Sequence, residues 1–286
     1  MARFATLTSS YGYWALAYFL LTYALTWLGW LAASALWGGP PSTGSLAATL
    51  GWGVFLLGVF SPGLVALGLT AHADGGPAAR ALLQPILRWR VPARWYAFAL
   101  GYLAAIKLAA ALLHRLVAGA WPPFGTLPWL LLLPAIAFST WVQAGEEVGW
   151  RGYALPRLSE RLGLRGGSIL LGVLWAGWHL PLFLLPGTDT TGQSFPVYTS
   201  QVTALSVALA WLWWRTGRSL LPVMLMHSAV NNTQGLVPSP ASGATDPLSI
   251  HASSVAWLTT LLLWIGAGCF LSRMPRREGG GARHTA

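Results

Sequence analysis

Charge is what this sequence has least of, and acid above all. Charged residues make up 8% of its 286 positions, and only seven are Asp or Glu. A soluble domain carries about 25% charged residues. So few charges could not cover the surface of a soluble globule this long, which argues against an Ala- and Leu-rich soluble protein. Cysteine is limited to Cys269. That excludes an intrachain disulfide and a multi-cysteine metal site, and leaves Cys269 as a small packing residue. No internal repeat is visible, and no linker is long enough to separate a pair of domains. The net charge of +10 does not indicate nucleic acid, because the arginines form no single patch interleaved with aromatics.

What is present is apolar sequence: 55% of residues are hydrophobic. Runs near the roughly 20 residues that cross a bilayer recur along the whole chain. The reading is an all-α polytopic integral membrane protein of about eight spans, near 12–37, 48–71, 95–117, 127–153, 167–186, 198–215, 219–236 and 254–272. The first is longer than the roughly 7–15-residue apolar core of a signal peptide and reads as a retained anchor. One membrane domain covers 1–286, with a motif region at 140–232 and a cytoplasmic tail at 273–286.

The arginines test this count. Arg3 precedes the first span. Arg80, Arg88, Arg90 and Arg94 follow the second, and Arg157, Arg161 and Arg165 the fourth. Arg215 and Arg218 follow the sixth, and Arg273, Arg276, Arg277 and Arg283 the eighth. The connections at 38–47, 187–197 and 237–253 hold no Lys or Arg, and Arg115 alone lies near 118–126. Every second connection is basic, so both termini are expected in the cytoplasm. The expected setting is a bacterial plasma membrane, with lipid and a membrane-associated peptide or protein as partners. Segment 77–95 is basic and partly apolar, and reads as a cytoplasmic interfacial helix with Trp89 and Trp95 at headgroup level, or else as an ordinary positive loop.

A charged side chain at mid-membrane costs about 2.5–3.5 kcal/mol on insertion scales, so a retained one points to function. Three places stand out: Glu146, Glu147 and Arg151 in EEVGWR, His179 in LWAGWHLP, and His227 with Asn231 in MLMHSAVNN. At about 1.5 Å per helical residue, Glu146 lies about 16 Å from Arg157, His227 about 14 Å from Arg218 and His179 about 21 Å from Arg165. Singly, each has a bland reading: a packed histidine, a structural ion pair, a chance four-residue spacing. Three spans sharing one depth, within reach of the cytoplasmic side, read as a site.

Spacing separates the roles. Glu147 and Arg151 are i,i+4 neighbours and pair on one helix face, which leaves Glu146, about 100° away, to face a cavity. His227 and Asn231 are also i,i+4. Two chemistries fit. Glu146, His179 and His227 could ligate Zn²⁺ with water in the fourth position. Alternatively, Glu146 and His179 activate water as general bases while His227 and Asn231 stabilise an oxyanion, with no metal.

Together these residues resemble the CAAX-protease and bacteriocin-processing family of intramembrane proteases, which includes the eukaryotic Ras-converting CAAX endopeptidase. The family pattern is EExxxR, then an aromatic residue four before a histidine, then His-x-x-x-Asn/Asp. Here these are Glu146 to Arg151, Trp175 to His179 and His227 to Asn231. Trp175 stands where Phe is expected, which puts the local pocket shape in doubt. The resemblance implies an eight-helix fold, proteolysis near the membrane, and Glu146, His179, His227 and Asn231 as working residues. It leaves metal and metal-free chemistry both open. Two rivals remain: a proton-coupled transporter, which Lys107 on the third span fits best, and a scaffold that binds membrane peptides without cleaving them.

Overall fold

A computed structural model describes residues 2–126, 128–233, 237–238, 244 and 246–275; the side chains of residues 2–13 and 129 are not among those described. Arg3, Arg276, Arg277 and Arg283, and the tail beyond 275, therefore lie outside the described side chains. Every regular element among the described residues is helical. That follows from the solvent, because inside a bilayer the backbone must satisfy its own N–H and C=O groups.

The helices are α1 (Ala2–Trp37), α2 (Leu46–Asp74), α3 (Gly76–Ala81), α4 (Ala93–Ala118), α5 (Trp129–Val142), α6 (Ala144–Glu147), α7 (Leu155–Trp178), α8 (Leu180–Leu184), α9 (Phe195–Arg215), α10 (Leu221–Thr233) and α11 (Ser254–Arg273). A π-helical segment, Val148–Ala154, joins α6 to α7.

Six stretches are long and apolar enough to cross a membrane, fewer than the eight expected. One reason is α10, which has 13 residues. At about 1.5 Å per residue it reaches about 20 Å, against a hydrocarbon core of about 30 Å. The other is Leu130–Leu184, an unbroken stretch of 55 residues. It doubles back at Gly163, whose φ of 68° and ψ of 167° suit glycine. The two arms lie side by side, with the Trp150 and Trp178 rings 5.7 Å apart.

Segment 77–95 is not one interfacial helix. It breaks into α3, a 3₁₀ turn at Gln84–Leu87 and an irregular stretch at 88–92 before α4 begins. Pro77, Pro85 and Pro92 each remove a backbone donor and restrict the residue before them. Trp89 is exposed, but Trp95 is buried against Trp211, with ring centroids 5.1 Å apart.

Long-range contacts define two ends. At one, Leu220 N–H donates to Pro85 O at 3.0 Å, Arg88 Nη1 to Gly217 O at 3.1 Å and Arg165 Nη2 to Met274 O at 2.6 Å. The arginine-bearing connections gather here. At the other, Phe195 N–H donates to Pro247 O at 2.8 Å, Ser194 Oγ to Ser249 O at 2.6 Å, and Pro40 packs on Gly187. Between the ends α9 is the most buried of the membrane-spanning stretches and α1 the least. Outward leucines such as Leu20, Leu28, Leu57 and Leu133 suit lipid contact.

Close approach of α2 to the segment carrying EEVGWR depends on glycine. A Cβ at Gly149 would sit 2.5 Å from the Pro62 carbonyl and from Tyr18 Oη, and one at Gly63 would sit 2.7 Å from Gly145 O. Small residues at such crossings are how membrane helices pack backbone to backbone. Gly149→Ala should therefore destabilise the protein by about 1–3 kcal/mol, the range for overpacking. A thermal melt in detergent checks this; an unchanged midpoint would mean that α2 does not rest on Gly149.

Candidate functional site

The π-helical register begins directly after the two glutamates, and such segments recur at functional sites. Glu146 and Glu147 face different partners. One oxygen of Glu147, Oε1, accepts a hydrogen bond from Arg151 Nη1 at 2.7 Å and lies 2.7 Å from Nδ1 of His227. A carboxylate only accepts, so Nδ1 of His227 carries the proton and its Nε2 points away from Glu147. Glu147 and Arg151 are fully buried.

Glu146 Oε2 instead accepts from two indoles, Trp175 Nε1 at 3.0 Å and Trp150 Nε1 at 3.3 Å. Trp175 also touches Arg151, His227 and His179. The Arg151 guanidinium carbon lies 4.5 Å from its ring centroid. The His227 ring meets it at 5.0 Å and 82°, and its carbonyl is 2.9 Å from His179 Nδ1. That carbonyl can only accept, so His179 carries its proton on Nδ1 and leaves Nε2 with a lone pair.

The sequence reading joined His227 and His179 to Glu146. Their hydrogen-bond partners differ: His227 goes to Glu147, His179 to a backbone carbonyl and Glu146 to two tryptophans. What brings Glu146 and His179 together is a cavity of about 430 Å³, which Asn231 also lines. Its wall is aromatic, with Trp30, Trp37, Trp52 and Phe55, and it continues to Pro41 and to Gly187–Thr190. A narrower chamber of about 60 Å³ shares His179, Tyr198 and Asn231 with it and adds Trp175, His227 and Lys107. Pro41 and Gly187–Thr190 belong to the end without Lys or Arg. Distance along the helices from the arginines suggested access from the basic end; the wide cavity lies toward the opposite one.

No grouping of three His, Cys, Asp or Glu side chains that could hold a metal ion occurs among the described residues. In Glu146, His179 and His227 the side-chain atoms left without a hydrogen-bond partner among the described residues are Oε1 of Glu146 and Nε2 of both histidines. A carboxylate on Nδ1 is also the usual partner of a histidine that ligates zinc through Nε2, so these contacts fit either chemistry.

Three residues had gone unnoticed in the sequence. Trp150 stands four after Glu146, the spacing that had revealed Glu147 and Arg151. Gln143, buried and three before Glu146, lines the same cavity. Tyr198, whose ring lies 5.5 Å from that of His179, is far off in sequence and had no signal.

Comparison with known proteins bears out the family resemblance. Residues 125–233 match the family described as type II CAAX prenyl endopeptidase Rce1-like, a range that holds all three motifs. The chain is 25% identical over 251 residues to CAAX prenyl protease 2 of Methanococcus maripaludis, covering 80% of this chain and 87% of that protein. The likeness supports an intramembrane endopeptidase.

Trp175→Phe keeps the ring over Arg151 and against His227 and removes only the N–H to Glu146. A hydrogen bond to a charged group is worth about 1.5–3 kcal/mol, so the variant should cleave peptide at least roughly tenfold more slowly with its helicity intact. Wild-type turnover would show that this donor does not position Glu146.

Proposed function

We propose, from the likeness to type II CAAX prenyl endopeptidases, that this chain hydrolyses a peptide bond of a membrane-associated protein, a prenylated CAAX-type tail being the first substrate to test. The observation that carries the reading is the placement of Glu146, His179 and Asn231 on one cavity inside the helical bundle.

Water in that cavity gives a proton to Glu146, with His179 Nε2 as the second acceptor, and its oxygen attacks the carbonyl carbon. Asn231 and His227 stabilise the resulting oxyanion, His227 donating from Nε2 as the imidazolium. Collapse breaks the C–N bond, and the proton held by Glu146 passes to the leaving amine. Glu147 and Arg151 orient His227, much as the buried acid of a Ser-His-Asp triad fixes its histidine. This metal-free scheme needs no group beyond these side chains and the attacking water. The positive connections support a plasma-membrane orientation with both termini in the cytoplasm.

Purified wild type should cleave a prenylated or membrane-anchored peptide, and Glu146→Gln should lower kcat by at least roughly a hundredfold, the scale of positioned acid–base catalysis. Cleavage should persist after treatment with a zinc chelator. Equal cleavage by wild type and Glu146→Gln would remove Glu146 from the mechanism, and a chelator loss restored by zinc would decide for the metal.

A further inference from the structure

Lys107 is used by nothing described so far. It lies on α4 about 21 Å along the helix from Ala93 and about 17 Å from Ala118, too deep for its amine to reach either surface. It is 4% exposed, and among the described residues no acceptor lies within hydrogen-bonding distance of Nζ. Ionisable groups inside a membrane normally pair with one another or with backbone carbonyls. Lys107 does neither, yet it lines the narrow chamber together with His227, Trp175 and Asn231. An ammonium in that setting is complemented by an anion that arrives with the ligand.

We propose that Lys107 binds the C-terminal carboxylate of the peptide whose bond is cut at Glu146 and His179. An apolar peptide carries one anion, its terminal carboxylate. His179 and Asn231 line both chambers, so a chain lying across them places its scissile bond at the shared wall and its terminus beside Lys107. This makes Lys107 a specificity residue; it takes no part in bond breaking. The assignment deepens the peptidase reading and rests on it for the bond cut, but the binding can be measured without turnover.

The test uses full-length Glu146→Gln protein in detergent and two probes, the tripeptide Leu-Val-Ala as the free acid and as its amide. The acid should bind at least roughly tenfold more tightly. Lys107→Met and Lys107→Gln in the same background should abolish the preference while keeping the melting temperature. Equal affinities for acid and amide, absence of binding by both included, would overturn the proposal. So would a preference that survives both Lys107 variants, or an amidated peptide with an internal Glu that matches the free acid. If wild type cleaves nothing while the acid preference holds, the peptidase reading fails and the carboxylate site stands.

A separate observation bears on where substrate comes from. The wide cavity reaches Pro41 and Gly187–Thr190, and the connections at 38–45, 119–128, 185–194 and 234–253 contain no Lys or Arg. By the positive-inside rule that end faces away from the cytoplasm. The geometry points to substrate delivery from the extracytoplasmic side; a prenylated tail, made in the cytoplasm, is then a test substrate for the purified protein, and an exported membrane-associated peptide is the cellular one. In a Cys269→Ala background, Asp189→Cys at the cavity mouth should react with a membrane-impermeant maleimide on intact cells. Arg90→Cys should react only after permeabilisation. The reverse pattern overturns this sidedness whether or not the protein is a peptidase.

Discussion

A single carboxylate oxygen, Oε1 of Glu147, ties the site together. It accepts from Arg151 on its own helical segment and from His227 on α10, so it joins two regions of the bundle that are 80 residues apart in sequence. In a water-poor interior neither Glu147 nor Arg151 could be buried without the other, and breaking such a pair leaves an uncompensated charge. The pair thereby fixes the orientation of the helix face. Once Glu147 faces Arg151 and His227, Glu146 is turned toward α7 and the cavity. The same bond sets which nitrogen of His227 is free.

The rest of the surroundings make that orientation durable. Glycines at 63, 145 and 149 let α2 lie against the motif segment. The rings of Trp30, Trp150 and Trp178, each almost wholly buried, fill the space behind it. Apolar packing leaves polar side chains only a few partners, and the two indole N–H groups on Glu146 are among those partners. The carboxylate is therefore held by donors that supply no full positive charge, and its remaining capacity faces the cavity.

Much of this was legible in the sequence, because membrane burial makes each ionisable residue conspicuous. The i,i+4 spacing of Glu147 and Arg151 reported a real pair, and the three motifs identified the segments that meet. Other features were not legible, for physical reasons. Replacing Phe by Trp at 175 looked like one aromatic ring for another, yet the indole N–H is a donor that Phe lacks, and it reaches Glu146. Counting residues from the nearest arginine measures depth along one helix and says nothing about which neighbouring walls open. Those walls come from α1, α2 and the connection after α8, segments that carry no motif. The turn at Gly163 depends on one glycine within an otherwise helical run. The π-helical register is too short, and too uniformly buried, to leave a periodicity of its own in the sequence.

The two ends of the molecule differ in a way that bears on the transporter alternative. Hydrogen bonds lace the basic end, from Leu220 to Pro85, from Arg88 to Gly217 and from Arg165 to Met274. None of the residues lining either chamber comes from those connections. A carrier needs a polar route that can open to both faces in turn, with its ionisable groups spaced along it. Here Glu146, His179 and Asn231 line the wide chamber, His227 lines the narrow one that shares His179 and Asn231 with it, and the aromatic chamber leads from that shared wall toward one end. A hydrolase needs a few fixed donors and acceptors gathered where a peptide bond can lie, so that their electrostatics act on it together.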